Sequence, residues 1–195
     1  VSIICIAEAY LQRARNILPE DLLVTFLPVQ HVGVSAEHLA YPGMLTFSAT
    51  TAIAAGTELG GSLARAGLRK LVLVTSHGGD VAAMELVARD LRARLGMLAV
   101  TVAWHRFDYP DGTFTGEEKK HGIYGGDIET SLMLAAMPDT VRMEKAPKAT
   151  LAMAREFKWL GAYRPAGFAW MTQGLNPTGP VGDATPASAE KCEAA

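Results

Sequence analysis

The order of apolar segments predicts an α/β fold built around a largely parallel sheet, and three observations carry that reading. Leu71–Thr75 (LVLVT) is a continuous β-rich run that passes into Ser76-His77-Gly78-Gly79-Asp80 and then into an amphipathic stretch from Val81 to Leu95. A second strand-like run, Leu98–Trp104 (LAVTVAW), follows Gly96 after a short connection. A strand, glycine loop, helix and strand in that order call for a right-handed parallel crossover. Finally, 195 residues of which 49% are hydrophobic and 19% charged can bury one sizeable core without disulfide or metal staples.

Taken in order, residues 2–18 place Ile3, Ile6, Ala7, Tyr10, Leu11, Ala14 and Leu18 at nearly helical spacing, and Pro19 stops the helix. Leu22–Leu27 (LLVTFL), bounded by Pro28, reads as a strand buried on both faces. Gln30–Gly43 is polar and irregular. Residues 50–66 form a helix closed by Gly67, and its small residues suggest close packing against a sheet. His105–Gly126 is glycine-rich and longer than most connections, which marks it as a functional loop. Asp127–Ala136 is a helix with acid and hydroxyl groups in its first turn. Residues 165–186, with Pro165, Pro177, Pro180 and Pro186, read as a covering loop that adds no core.

Eighteen basic against twenty acidic residues leave a net charge of −2, with no electrostatic footprint for nucleic acid or an anionic membrane. Cys5 and Cys192 lie near opposite ends and make neither a disulfide framework nor a metal knuckle. A reducing cytoplasm is the expected home, since no run of eighteen apolar residues occurs and the N-terminus lacks the basic n-region and cleavage site of a secreted chain.

In an open α/β sheet, ligands bind at the carboxyl ends of strands. The loops expected there hold all five histidines, His31, His38, His77, His105 and His121. Imidazole is both the commonest metal ligand and the usual acid or base near neutral pH. His77 is the sharpest candidate, since Gly78 and Gly79 open space above its ring; its plain alternative is a helix cap, as it is for Ser76 and Asp80. Glu37 with His38 offers a second acid and imidazole pair, against simple surface solvation. Asp127 and Glu129 suit the helix dipole whatever their purpose, and at two residues apart they face different ways. Trp104, Phe107 and Tyr109 at the end of the third strand can wall a small-molecule pocket or fill core, and Phe157, Trp159, Phe168 and Trp170 can shape a pocket. Lys119-Lys120 and the glutamates before them read as a solvated loop.

Four blocks, Val34–Thr46 (VSAEHLAYPGMLT), Ser76–Asp80 (SHGGD), Gly125–Ser131 (GGDIETS) and Gly182–Lys191 (GDATPASAEK), resemble the creatininase family of metal-dependent amidohydrolases in order and spacing. The resemblance implies a three-layer αβα domain over residues 1–195 with a mainly parallel sheet, and a homo-oligomer, often a hexamer. It implies hydrolysis of a cyclic or formyl amide C–N bond with one or two divalent ions, Zn, Mn or Fe. Residue by residue, His77 and Glu129 match metal ligands, and Ser35, Glu37, His38 and Gly78 match the substrate-binding loops, with Trp104 beside them. Glu129, Tyr124 and His121 fall in the catalytic segment.

Two departures follow from the same comparison. The family's leading Glu-x-His segment and its aspartate are missing ahead of Ser2, so the chain as given is expected to lack a first strand and part of the metal site. Tyr124 stands where the family usually carries a proton-handling histidine; a phenol with pKa near 10 is a poorer shuttle at neutral pH. His121 lies three positions earlier as a possible substitute, and Asp80 stands where asparagine is common. The rival readings are a catalytically silent homologue kept for binding or assembly, and an unrelated module using the His77 loop for an anion.

Overall fold

The computed structural model describes residues 2–146, 159–162 and 166–193. The chain falls into two compact units, Tyr10–Asp108 and Val1–Ala9 with Tyr109–Ala195. Helix α1 (Ser2–Ile17) contributes to both.

In the Tyr10–Asp108 unit, α2 (Ala49–Arg65), β1 (Lys70–Thr75), α3 (Val81–Leu95) and β2 (Leu98–Ala103) occur within a residue of the spans their patterns predict. Ser48 caps α2 by accepting the Thr51 N–H at 3.2 Å. Gly96 ends α3 in the left-handed region (φ 64°) while the Met97 N–H reaches back to the Leu91 carbonyl. β1 and β2 pair parallel, from Lys70 with Leu98 to Thr75 with Ala103, as a strand, helix, strand unit requires. Their inward face, Leu71, Leu73 and Ala99, packs with Ile53, Leu63 and Ala64 around Val87, Leu91 and Met97.

The small residues of α2 serve a different neighbour from the expected sheet. Gly56 and Gly60, one turn apart, lie against Val87 and Leu91, also one turn apart, on α3. A Cβ on Gly56 would stand 3.1 Å from Val87, and one on Gly60 would run into the Leu91 methyls.

Leu22–Leu27 is not a strand. It is irregular, with Leu23 fully exposed and Leu22, Val24 and Leu27 about half exposed. A run of apolar residues reports hydrophobicity and says nothing about a ladder partner, and none is present among the described residues. Phe26 lies under the Arg15 guanidinium instead, 5.1 Å from ring centre to charge.

The second unit contains α4 (Gly116–His121) and α5 (Asp127–Ala136), then the two-residue parallel strands β3 (Leu160–Gly161) and β4 (Ala166–Gly167), and the short helices α6 (Thr172–Leu175) and α7 (Glu190–Glu193). The stretch expected as one long loop from His105 to Gly126 therefore includes a helix, capped by the Thr115 hydroxyl on the Glu118 N–H. The tail also departs from expectation. Leu175 and Val181 form a buried cluster with Ile123, Phe168 and Trp170, and Tyr124 bridges Val181 through N–H···O bonds of 3.1 and 2.7 Å. Prolines end ladders without preventing burial, so a proline-rich segment can still carry core. Trp159 is exposed, and Phe157 and Pro165 lie outside the described residues. Among the described residues, no helix is long and apolar enough to cross a membrane.

The α2–α3 contact makes a two-part prediction. Leu91→Ala should cost about 2–5 kcal/mol in urea unfolding. Gly60→Ala should destabilise the parent protein by overpacking but be neutral or stabilising in the Leu91→Ala background, a coupling of about 0.5–3 kcal/mol in a double-mutant cycle. Additive effects would show that the two residues do not press on each other.

Candidate functional site

Four of the residues singled out in the sequence meet in the Tyr10–Asp108 unit. The 3-10 turn Ala36–His38 carries Glu37 and buried His38, with Ser35 before it. His77 leaves the end of β1, where the Thr75 hydroxyl accepts the His77 N–H and donates to the His77 carbonyl, both at 3.0 Å. This holds the residue extended at the entry to the 3-10 turn Gly78–Asp80, where it makes no side-chain cap. Its imidazole goes to Glu37 instead, with Nε2 lying 3.0 Å from Oε1. The same oxygen accepts the Ser35 hydroxyl at 3.1 Å and lies 3.5 Å from His38 Nε2. One carboxylate oxygen thus gathers two imidazoles and a hydroxyl.

The electrostatics follow from that crowding. Burial works to raise the Glu37 pKa, yet the bond with His77, a local backbone N–H and the charges of both histidines outweigh it and hold the carboxyl below its usual range. Burial lowers His38 despite the pull of Glu37, with a smaller push from His77. At the neighbouring strand end, burial and then the charges of Arg106 and His77 lower His105. Trp104 meets the His105 ring edge-on at 6.2 Å. His31, by contrast, is exposed.

Asp80 corrects the capping expectation. Although it precedes α3, it makes no side-chain cap. Its Oδ1 accepts the Val34 N–H at 2.7 Å, joining the histidine loop to the segment that carries Glu37. Thr46 completes the join by accepting the Ser35 N–H at 2.8 Å. Neither contact is readable from local pattern, because each partner is remote in sequence.

In the second unit, Glu129 Oε2 accepts the Gly125 N–H at 2.8 Å, a reach-back from the first turn of α5. Asp127 turns the other way: it is 2% exposed, pairs with Lys191 Nζ at 2.6 Å and accepts the Ser131 hydroxyl at 3.1 Å. His121 ends α4 and Tyr124 is tied to Val181 by backbone. Glu118 is the residue the sequence reading missed. It is buried rather than solvated, and its Oε1 accepts the Ile128 N–H at 3.1 Å, capping α5 where Gly126 has no side chain to do so. Burial raises its pKa, with Asp127 and Glu129 adding to the rise against the backbone N–H bonds.

An imidazole nitrogen and a carboxylate oxygen on separate loops are the donor types a divalent ion takes, so His77 and Glu37 fit one in chemistry. In number they fall short: no group of three or more His, Cys, Asp or Glu side chains placed to hold a metal occurs among the described residues.

A family model described as creatininase, creatinine amidohydrolase, matches residues 4–195. No curated protein matches the chain. Among solved structures, a creatininase mutant complexed with creatine is 27% identical with a TM-score of 0.57, covering 83% of this chain and 66% of that one. A Zn-Zn form of a creatininase mutant and a Mn form of creatininase are each 27% identical with TM-scores of 0.55, covering 78% of this chain and 60% and 61% of theirs. The chain therefore shares the α/β, three-layer fold class of these proteins and spans about three-fifths of their length.

Glu118 gives a pH prediction. The folded state holds its proton more tightly than the unfolded chain, so its contribution to stability is lost as pH rises from the ordinary glutamate value of 4.5 through the raised one. Glu118→Gln, which keeps the acceptor and removes the ionisation, should be at its worst relative to the parent at low pH and gain on it steadily above pH 4.5 in urea unfolding. A stability difference independent of pH would mean that Glu118 is ionised as readily folded as unfolded.

Proposed function

Because the chain belongs to the creatininase family, matched over residues 4–195, we propose that it is a metal-dependent amidohydrolase acting on a small cyclic or formyl amide. The match runs across both compact units, which supports reading residues 1–195 as one creatininase-like domain. The observation that carries the proposal is the His77–Glu37 contact at the end of β1, in the glycine loop that matches the family's metal-binding motif. His77 is the nitrogen ligand. Glu129 is assigned as a carboxylate ligand by its correspondence to the same family's motif. Solved relatives in Zn-Zn and Mn forms support a divalent ion, Zn, Mn or Fe, and one complexed with creatine supports a small-molecule substrate. A homo-oligomer in the cytoplasm completes the proposal.

A divalent ion held by these ligands would supply Lewis acidity toward the amide carbonyl and would make water a usable nucleophile near neutral pH. The chain's own groups set the rest. Glu37, whose carboxyl its partners hold below the usual range, fixes the His77 ring through Oε1. His38, kept neutral by burial, can take a proton at its ring nitrogen. Ser35, Gly78 and Trp104 line the substrate side of these loops.

A second reading, a catalytically silent homologue serving binding or assembly, is favoured by one residue: Tyr124 in place of a proton-handling histidine. Metal analysis and turnover separate the two. The purified chain is expected to hold stoichiometric Zn, Mn or Fe and to hydrolyse at least one member of a panel containing creatinine and formyl amides. His77→Ala should release the metal and cut turnover by more than about 100-fold, beyond what loss of a supporting partner costs. A metal-free protein that turns over no member of the panel would sink the enzyme reading and favour the silent one, and hydrolysis that survives His77→Ala would remove His77 from the metal site.

A further inference from the structure

The link between the two loops of the site rests on Asp80. An aspartate immediately before a helix ordinarily caps it, but here the carboxylate is diverted across 46 residues to the Val34 N–H at 2.7 Å. The fit around that bond is tight. A Cβ on Gly33 would stand 2.6 Å from Asp80 Oδ2, and one on Gly79 would meet the Val34 carbonyl and stand 2.7 Å from His77 Nε2. The Val34 segment is therefore laid flat on the histidine loop where neither side chain is present to hold them apart.

From Val34 the register of the site follows directly. Ser35, the next residue, is held by Thr46 and donates to Glu37, and Glu37 reaches back to His77. The Asp80 N–H in turn bonds the His77 carbonyl at 3.3 Å. A closed circuit results: Asp80 to Val34 on one side, Glu37 to His77 on the other, with short stretches of backbone between.

We propose that Asp80 is a positioning residue, which sets the Glu37 carboxylate against the His77 imidazole by holding the Val34 N–H. The inference rests on the reading of His77 as a metal ligand for its functional meaning, though the positioning itself is a statement about this chain alone. What Asp80 supplies is an acceptor at Oδ1, so asparagine should replace it and alanine should not.

The test uses the full chain and two readouts besides activity. In the parent protein the Val34 amide proton, bonded to a carboxylate at short range, should resonate downfield, and NOEs should join the His77 ring to the Glu37 side chain. Asp80→Ala should move the Val34 amide upfield, abolish those NOEs and weaken Zn²⁺ affinity, measured with zinc alone against a chelator, by about 10–100-fold. Asp80→Asn should restore the NOEs and bring the affinity within about threefold of the parent. Should Asp80→Ala not fold, Asp80→Ser, which withdraws the acceptor from Val34, is expected to show the same losses. The proposal is overturned if the His77–Glu37 NOEs survive removal of the acceptor, or if Asp80→Asn behaves like Asp80→Ala. A parent protein that binds no zinc would overturn the metal reading instead, and the two NMR readouts would still decide the positioning role.

Discussion

Two parallel strands cannot be joined by a turn, and the pairing of Thr75 with Ala103 at the end of the β1–β2 ladder determines where the rest of the Tyr10–Asp108 unit can go. The crossover helix α3 has to return along one face, and α2 covers the same face beside it, with two glycines letting the helices approach closely. Both strands then finish at the same edge. The residues that follow them, His77 after β1 and Trp104 with His105 after β2, leave the sheet side by side in the only direction open to a loop, which is why His105 feels the charge of His77. The chemistry sits at that edge because the strands run the same way.

Within each unit, carboxylates hold segments together through partners beyond their own helical turn. Asp80 holds Val34, Glu118 caps α5 from the preceding helix, and Asp127 pairs with Lys191 across 64 residues. These groups occupy positions where local rules assign them a cap or a solvated surface. Burial explains the difference: a carboxylate removed from water needs N–H or ammonium partners, and in a chain this short those partners come from whichever loop lies opposite.

Legibility in the sequence divides along the same line. α3 and α5 were readable almost to the residue because apolar period, first-turn acids and a closing glycine or proline are all local signals. β1 and β2 were readable because a short helix between two apolar runs leaves one pairing. Leu22–Leu27 failed, since hydrophobicity predicts burial only where a neighbouring strand exists. Within the site, His77 and the Ser35–His38 turn could be singled out by residue type, but not their meeting, because nothing local relates positions forty residues apart. Glu118 was hidden by its company: two lysines and another glutamate beside it read as solvent-facing, and only the helix terminus lying opposite makes it a core residue.

The 46-residue span of the Asp80–Val34 bond also orders events in time. Helices α2 and α3 form from neighbours along the chain, whereas the Val34 segment can be captured only once β1 and α3 have come together to present the Asp80 acceptor. Loop-closure entropy grows slowly with length, so the delay comes less from the length of the intervening chain than from the need for a finished binding edge. The Asp80–Val34 bond therefore depends on β1 and α3 already being packed together. A chain that has already formed its hydrophobic core can still be waiting for its chemistry.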